Sequence, residues 1–355
     1  MSTSAIGPTQ AVQPTVISDS NLVYYRLGEN PDARLSQATV EKFFIDHNVV
    51  ITSITVVEWI SKHSADLAAI QKLLQLIDLT EGPLPISGLY VDVSLLKRIR
   101  DASTLAEVSS DIDSIIEQRV QAEAEMLRFT LVFLLLAFDI GVAEARLTDP
   151  IKQFEAVVSM AMVLQSNLDY LKDHLIGILR PFHARTTRGA IVNKQICELI
   201  GGLAEVSLIN YHCCRAGVGT SRDGISSILA AVSQDQLLRK VRKANQPLDV
   251  LKVVGNKDVR KAVPDYLPKL GAVLKAYGVG AETISYWCSR LSKSLQAKKI
   301  PAKNDMLDML VLDAIRYVDN GILATADSDL CKVLQEHHTA SYHFLQQHLP
   351  DALPK

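Results

Sequence analysis

Apolar positions follow a strand-and-helix rhythm at both ends of the chain and a purely helical one between. Residues 15–18 (TVIS) form a short β-branched run that ends at Asp19, and 48–53 (NVVITS) form a second. Between them, 35–47 repeats Leu35, Val40, Phe43 and Phe44 at helical spacing. In 54–78 the apolar residues Val56, Val57, Ile60, Leu67, Ile70, Leu73, Leu74 and Ile77 recur with a helical period, which predicts one helix. Residues 305–318 predict another, with Gly321 placed to end it in a left-handed conformation. ILAT (322–325) then reads as a strand and 328–335 as a helix. The order strand, helix, strand, helix implies parallel pairing and a sheet covered by helices.

The middle, 85–300, reads as helix throughout. The segments are 91–102, one long or kinked helix over 104–147, 149–181 ended by Pro181, 187–216 ended at Gly217 and Gly219, 221–245 ended before Pro247, and 281–299 before Pro301. No fixed-period repeat occurs, so a solenoid is not expected. The fold class this predicts is α/β: a small parallel sheet flanked by helices, split by a large all-α insertion. The domains are a tail at 1–14, a discontinuous α/β domain at 15–84 with 301–355, and an insertion at 85–300.

Composition narrows the function classes. Hydrophobic residues make up 48% and charged residues 21% of the 355, a globular balance. The greasiest run, 129–138 (FTLVFLLLAF), is half the roughly 20 residues that a membrane-spanning helix needs, so it reads as helical core. The small, polar start of the chain lacks the basic and apolar regions of a signal peptide. Five cysteines without a CxxC pair point to a reducing compartment, and the cytoplasm is the expected location. With 6% aromatics, base stacking is not the expected main device for binding single strands.

The carboxylates are the informative chemistry. Asp19 follows TVIS, and Asp327 and Asp329 follow ILAT; the carboxyl ends of parallel strands line the site-bearing crevice of such sheets. Glu58 sits early in the helix after NVVITS. Asp305 and Asp308 lie one helical turn apart. Acids that converge repel one another, and a divalent cation is the usual compensation; oxygen-only ligands favour Mg²⁺ or Mn²⁺ over zinc. Each acid also has a plainer reading: Asp19 as a turn residue, Asp305 as a helix cap, Glu58 as a solvated helix residue, Asp329 as a first-turn acid beside the helix dipole.

VISDSNLVYY (16–25), ITSITVVEWI (51–60) and NDMLDMLVLDAIRYVDNGILATADSDL (304–330) together resemble the PIN-domain nucleases. In that family a strand ends in Asp followed by Ser or Thr, a Glu lies in the second helix, a late Asp opens a helix, and a strand ending in T-x-D follows. Asp19 with Ser20, Glu58, Asp308, and Thr325 with Asp327 match in order. Asp305 competes with Asp308 for the third position. The departure is the 250 residues between Glu58 and Asp308, several times what a compact PIN domain holds. The resemblance implies a metal-dependent phosphodiesterase, with RNA ahead of DNA as substrate. It implies Asp19, Asp308 and Asp327 as ligands of Mg²⁺ or Mn²⁺, Glu58 completing a second metal position or orienting water, Asp305 and Asp329 as auxiliary acids, and Ser20 and Thr325 as hydroxyls orienting carboxylates.

Charge segregation adds a partner. Residues 239–303 hold 15 Lys/Arg against 4 Asp/Glu, in a chain whose net charge is −2. Arg239, Lys240, Arg242, Lys243, Arg260, Lys261, Lys298 and Lys299 would form a phosphate-binding track leading into the helix of Asp308. The competing use of that surface is docking to acidic protein, in a second copy or a regulatory partner. His212, Cys213 and Cys214 are adjacent on a helix, point to different faces and read as packing rather than as ligands. Two function classes stay open at this point: a metal-dependent nuclease with a helical substrate-binding or regulatory insertion, and a non-catalytic PIN-like scaffold whose helices bind a protein.

Overall fold

A computed structural model describes residues 14–29, 34–86, 89–184, 186–216, 222–244, 266, 280, 282–286, 289–290, 293 and 303–354. Among the described residues the chain is mostly helical, with one small parallel sheet. It divides into two compact units, Met1–Ile112 with Val311–Lys355, and Asp113–Leu310.

The first unit carries the sheet. Strands β1 (Val16–Ser18), β2 (Val49–Ile51) and β3 (Ile322–Ala324) lie in the order β2–β1–β3, all parallel. Val16 pairs with Val49 on one side and with Ile322 on the other, so TVIS and ILAT are neighbours despite 303 intervening residues. All three residues of β1 are fully buried, as befits a central strand covered on both faces. From β1 the chain passes to β2 on one side, and β3 takes the other. The crevice at the carboxyl ends of β1 and β3 is therefore the topological switch point of the sheet.

Helices follow each strand: α1 (Ser20–Arg26), α2 (Gln37–Asp46), α3 (Ser53–Lys62), α4 (Leu67–Leu74), α5 (Val93–Asp101) and α6 (Leu105–Glu117). The single helix expected over 54–78 is two. Apolar spacing runs in phase through the break, but Asp66 accepts from the Ala69 amide and starts α4 afresh. Trp59 staples the pair by donating its indole N–H to the Ala69 carbonyl at 3.0 Å. The Gln71 amide donates to the carbonyls of Ile99, Arg100 and Ala102 at the end of α5. This tie carries the sheet unit past residue 84, where the sequence reading ended it, to Ile112.

The second unit is a helical bundle of α7 (Arg119–Arg146), α8 (Pro150–Ser166), α9 (Leu168–His183), α10 (Gly189–Ala216), α11 (Arg222–Ser233) and α12 (Gln236–Arg242). Helix α7 packs against α8, α9 and α10, and its apolar run supplies the fully buried Leu135 and Phe138. Among the described residues no helix is long and apolar enough to cross a membrane. Pro181 does not end α9; it sits in the last turn. The break comes at Asn167, whose side chain donates back to the Val163 carbonyl at 2.7 Å. Likewise 221–245 splits at Asp235, which caps α12 and binds the Arg146 guanidinium.

Inside this bundle Glu125, 2% exposed, pairs with Arg128 and lies 3.5 Å from Lys172. Burial pushes the Glu125 carboxyl up, and the two cations pull it back. Removing one partner of a buried pair strands the other charge. Arg128→Met leaves Glu125 only Lys172, so it is expected to lower stability by up to about 3 kcal/mol in urea denaturation, and adding Glu125→Leu to restore part of that loss. A double variant no more stable than the single one would show that the two side chains do not act as a pair.

The chain returns to the sheet unit through α13 (Lys303–Asp313), inside which the unit boundary falls. A 3₁₀ turn (Ala314–Tyr317) follows. The left-handed residue before β3 is Asn320, with φ +52°, and not Gly321. Gly321 is required for closeness instead: a Cβ there would meet the carbonyl oxygens of Ile315 and Val318 at 3.1 Å. Helices α14 (Ser328–His337) and α15 (Thr339–His348) complete the unit.

Candidate functional site

Asp19 ends the central strand and occupies the N-cap position of α1, yet its side chain does not cap that helix. Its Oδ2 instead accepts from the Thr325 hydroxyl at 2.8 Å and the Asn21 amide at 3.1 Å. Only 2% of the residue is exposed. Burial pushes the carboxyl up to about 6, the nearby Asp327 carboxylate adds to the rise, and the Thr325, Ser20 and Asn21 hydrogen bonds oppose it. A turn residue would sit in water with an ordinary acidity; this one is held inside the fold.

Thr325 connects the two acids. Its hydroxyl donates to Asp19 and accepts the Asp327 backbone N–H at 2.9 Å. Asp327, half-buried, caps α14: Oδ1 accepts from the amides of Asp329 at 2.8 Å and Leu330 at 2.9 Å. Among the described residues its Oδ2 makes no hydrogen bond, and neither Asp19 nor Asp327 has a Lys or Arg ion pair. The Arg34 guanidinium donates to the Ala326 carbonyl at 3.0 Å and Cys331 donates to that of Thr325, which fixes the 325–327 backbone.

Glu58 lies in the second turn of α3 and accepts from the Ser20 hydroxyl at 3.1 Å. Ser20 is the residue after Asp19, so the three matched positions of this unit are linked through Ser20 and Thr325. Asp329 is half-buried, 3.9 Å from Lys332. Asp308 belongs to the other unit. There the phenol of the buried Tyr286 donates to its Oδ2 at 2.7 Å, and burial followed by the Asp308 charge pushes Tyr286 up. The Asp305 side chain lies outside the described residues.

Of the basic track, Arg239, Lys240, Arg242 and Lys243 are exposed at the end of α12, Arg242 paired to Glu205 at 2.5 Å. Arg260, Lys261, Lys298 and Lys299 lie outside the described residues. Among the described residues no three His, Cys, Asp or Glu side chains converge to hold a metal. What the sheet unit brings together is a pair of carboxylates, Asp19 and Asp327, with Glu58 reached through Ser20. A carboxylate pair fits Mg²⁺, which retains several waters and commonly takes only one or two protein carboxylates.

Thr52, Thr55, Asn21 and Arg34 escaped the sequence reading. For the threonines a signal existed: T-x-x-T-x-x-E from Thr52 to Glu58 puts three polar groups on one face of an otherwise apolar helix. No protein-family model matches the chain, and no curated protein or solved structure matches it.

Proposed function

We propose that this protein is a metal-dependent, PIN-like nuclease that cleaves RNA in preference to DNA. The observation that carries this reading is the Asp19 carboxylate: buried at the switch point of a parallel sheet, beside a second carboxylate, with no Lys or Arg ion pair of its own among the described residues. Keeping the Asp19 carboxylate charged in such a place costs stability, and a bound cation is the ordinary compensation. Asp19 and Asp327 would hold Mg²⁺ or Mn²⁺; Asp308, the further ligand that the resemblance implies, belongs to the other unit. When bound, such an ion supplies charge neutralisation at the phosphate and an activated water. Glu58 orients that water or completes a second ion position, and Thr325 and Asn21 fix the Asp19 oxygens. Asp305 and Asp329 are auxiliary acids. The exposed cations of 239–243, with Arg260, Lys261, Lys298 and Lys299, take the nucleic-acid backbone. The cysteines described, Cys197, Cys213, Cys214 and Cys331, are free thiols, which supports a cytoplasmic setting.

A second reading is favoured by the Asp327 cap: an acid that serves its own helix belongs equally to a non-catalytic scaffold whose helical unit binds a protein partner or a second copy. One assay separates the two. Single-stranded RNA and DNA are incubated with the purified protein in Mg²⁺, Mn²⁺ or EDTA. Cleavage of RNA with either ion and none in EDTA is expected. Cleavage that persists in EDTA removes the metal mechanism, and intact substrate under all conditions leaves the scaffold.

A further inference from the structure

We propose that Thr52, Thr55 and Ser20 form a one-way chain of hydroxyl groups that holds Glu58 in the orientation in which it serves the metal centre. The proposal rests on the carboxylate-site reading above. Thr52, Thr55 and Glu58 are spaced three apart along one face of α3, and the Ser20 hydroxyl enters between the last two from α1. The distances are 3.0 Å from Thr52 to Thr55, 3.0 Å from Thr55 to Ser20, and 3.1 Å from Ser20 to Glu58 Oε2.

The direction follows from counting protons. A carboxylate only accepts, so the single Ser20 proton goes to Glu58. Ser20 therefore accepts from Thr55, and Thr55, its proton spent, accepts from Thr52. The Thr52 oxygen also accepts the Thr55 backbone N–H at 3.3 Å, the capping bond that starts α3. Thr52 is fully buried and Thr55 is 2% exposed, so water does not compete for these protons. Three aligned O–H dipoles end on the carboxylate and reinforce one another. The chain also starts from a rigid place: Thr52 follows β2, and the Ser53 amide and the Leu84 carbonyl bond at 2.8 Å. These three are positioning residues; they act through Glu58.

The test is Mn²⁺ titration of the full-length protein by calorimetry, with urea midpoints recorded for every variant. Thr55→Val keeps the branched shape and removes the hydroxyl. It is expected to weaken Mn²⁺ binding about 10-fold, the lower end of what loss of a ligand's supporting hydrogen bond costs. Thr55→Ser, which retains the hydroxyl, restores affinity. In a Glu58→Gln background Thr55→Val has no further effect, because the group it acts through is already altered. If Thr55→Val does not fold, Ser20→Ala cuts the last link and carries the same expectations. Wild-type affinity in the hydroxyl-deleted variants overturns the chain alone, as does a full 10-fold loss that persists with Glu58→Gln. Wild-type protein that binds no Mn²⁺ overturns the carboxylate site and the chain with it.

Discussion

Asp19→Asn is expected to lower metal-dependent cleavage by about 10²–10³-fold, the scale of losing one electrostatic stabiliser of a transition state, while making the metal-free protein more stable. The two effects have one cause. Burial and Asp327 raise the folded-state carboxyl to about 6, against a reference value of 3.8. The folded protein thus holds the Asp19 proton more tightly than the unfolded chain does. Stability is lost as pH rises from the unfolded value through about 6, and the full loss above that is about 3 kcal/mol. Asparagine never ionises, keeps the side-chain oxygen that accepts from Thr325, and escapes the loss. Urea denaturation in EDTA should therefore show Asp19→Asn near wild type at pH 4 and more stable by up to about 3 kcal/mol at pH 8. Adding Mn²⁺ reverses the order, since an ion that binds only the folded wild type stabilises it by mass action. A variant that is less stable than wild type at pH 8 in EDTA would refute the account of the buried acid. Unchanged cleavage would remove Asp19 from the ligands.

The parts of this fold that were legible in the sequence are those written in local pattern. TVIS, NVVITS and ILAT are short β-branched runs bounded by polar residues, and all three are strands of one sheet. The acids that end them were visible for the same reason: a strand end is a local feature, and the switch point follows from strand order. Boundaries inside helical stretches were not legible. Ile60 and Leu67 remain in phase across the α3–α4 break, so periodicity carries no trace of it, and only the capping role of Asp66 marks the new start. Helix α1 was invisible because Leu22, Val23 and Tyr25 sit in a short run directly after a strand and offer no full period. Pro181 and Gly321 were read by their commonest roles, a breaker and a left-handed residue, when one is tolerated in a last helical turn and the other serves a close approach. The site shows the same division. Asp19, Glu58 and Asp327 could be named from sequence, with Ser20 and Thr325 as hydroxyls orienting them, but which carboxylate each hydroxyl meets could not, because Thr325 lies 306 residues from Asp19 and Ser20 lies 38 from Glu58. Tyr286 on Asp308 is likewise a tertiary contact without a local signature.

A second pH dependence belongs to an acid outside that site. Asp139 ends the greasy run of α7, is 6% exposed, and its Oδ2 is fully buried with no hydrogen-bond partner. Burial alone pushes its carboxyl well above the ordinary range, so the folded protein carries it as the neutral acid at pH values where the unfolded chain has released the proton. The sign is the same as for Asp19: stability falls as pH rises from near 4, by about 1.4 kcal/mol for each pH unit, until the folded-state value is reached. Asp139→Asn has nearly the same size and does not titrate, so it removes the slope without changing the packing. Its stability relative to wild type should therefore grow as pH rises above about 4 in urea denaturation, until the wild-type carboxyl ionises in the fold. The amide remains buried without a partner, so at pH 4, where both forms are neutral, the variant should gain nothing. A gap that does not grow at all above pH 4 would mean that the carboxyl is ionised in the fold and has found a donor. In that case the run from Phe129 to Phe138 ends at a polar contact within the bundle, and Asp139→Asn would destabilise the protein by the cost of that lost charge-assisted bond.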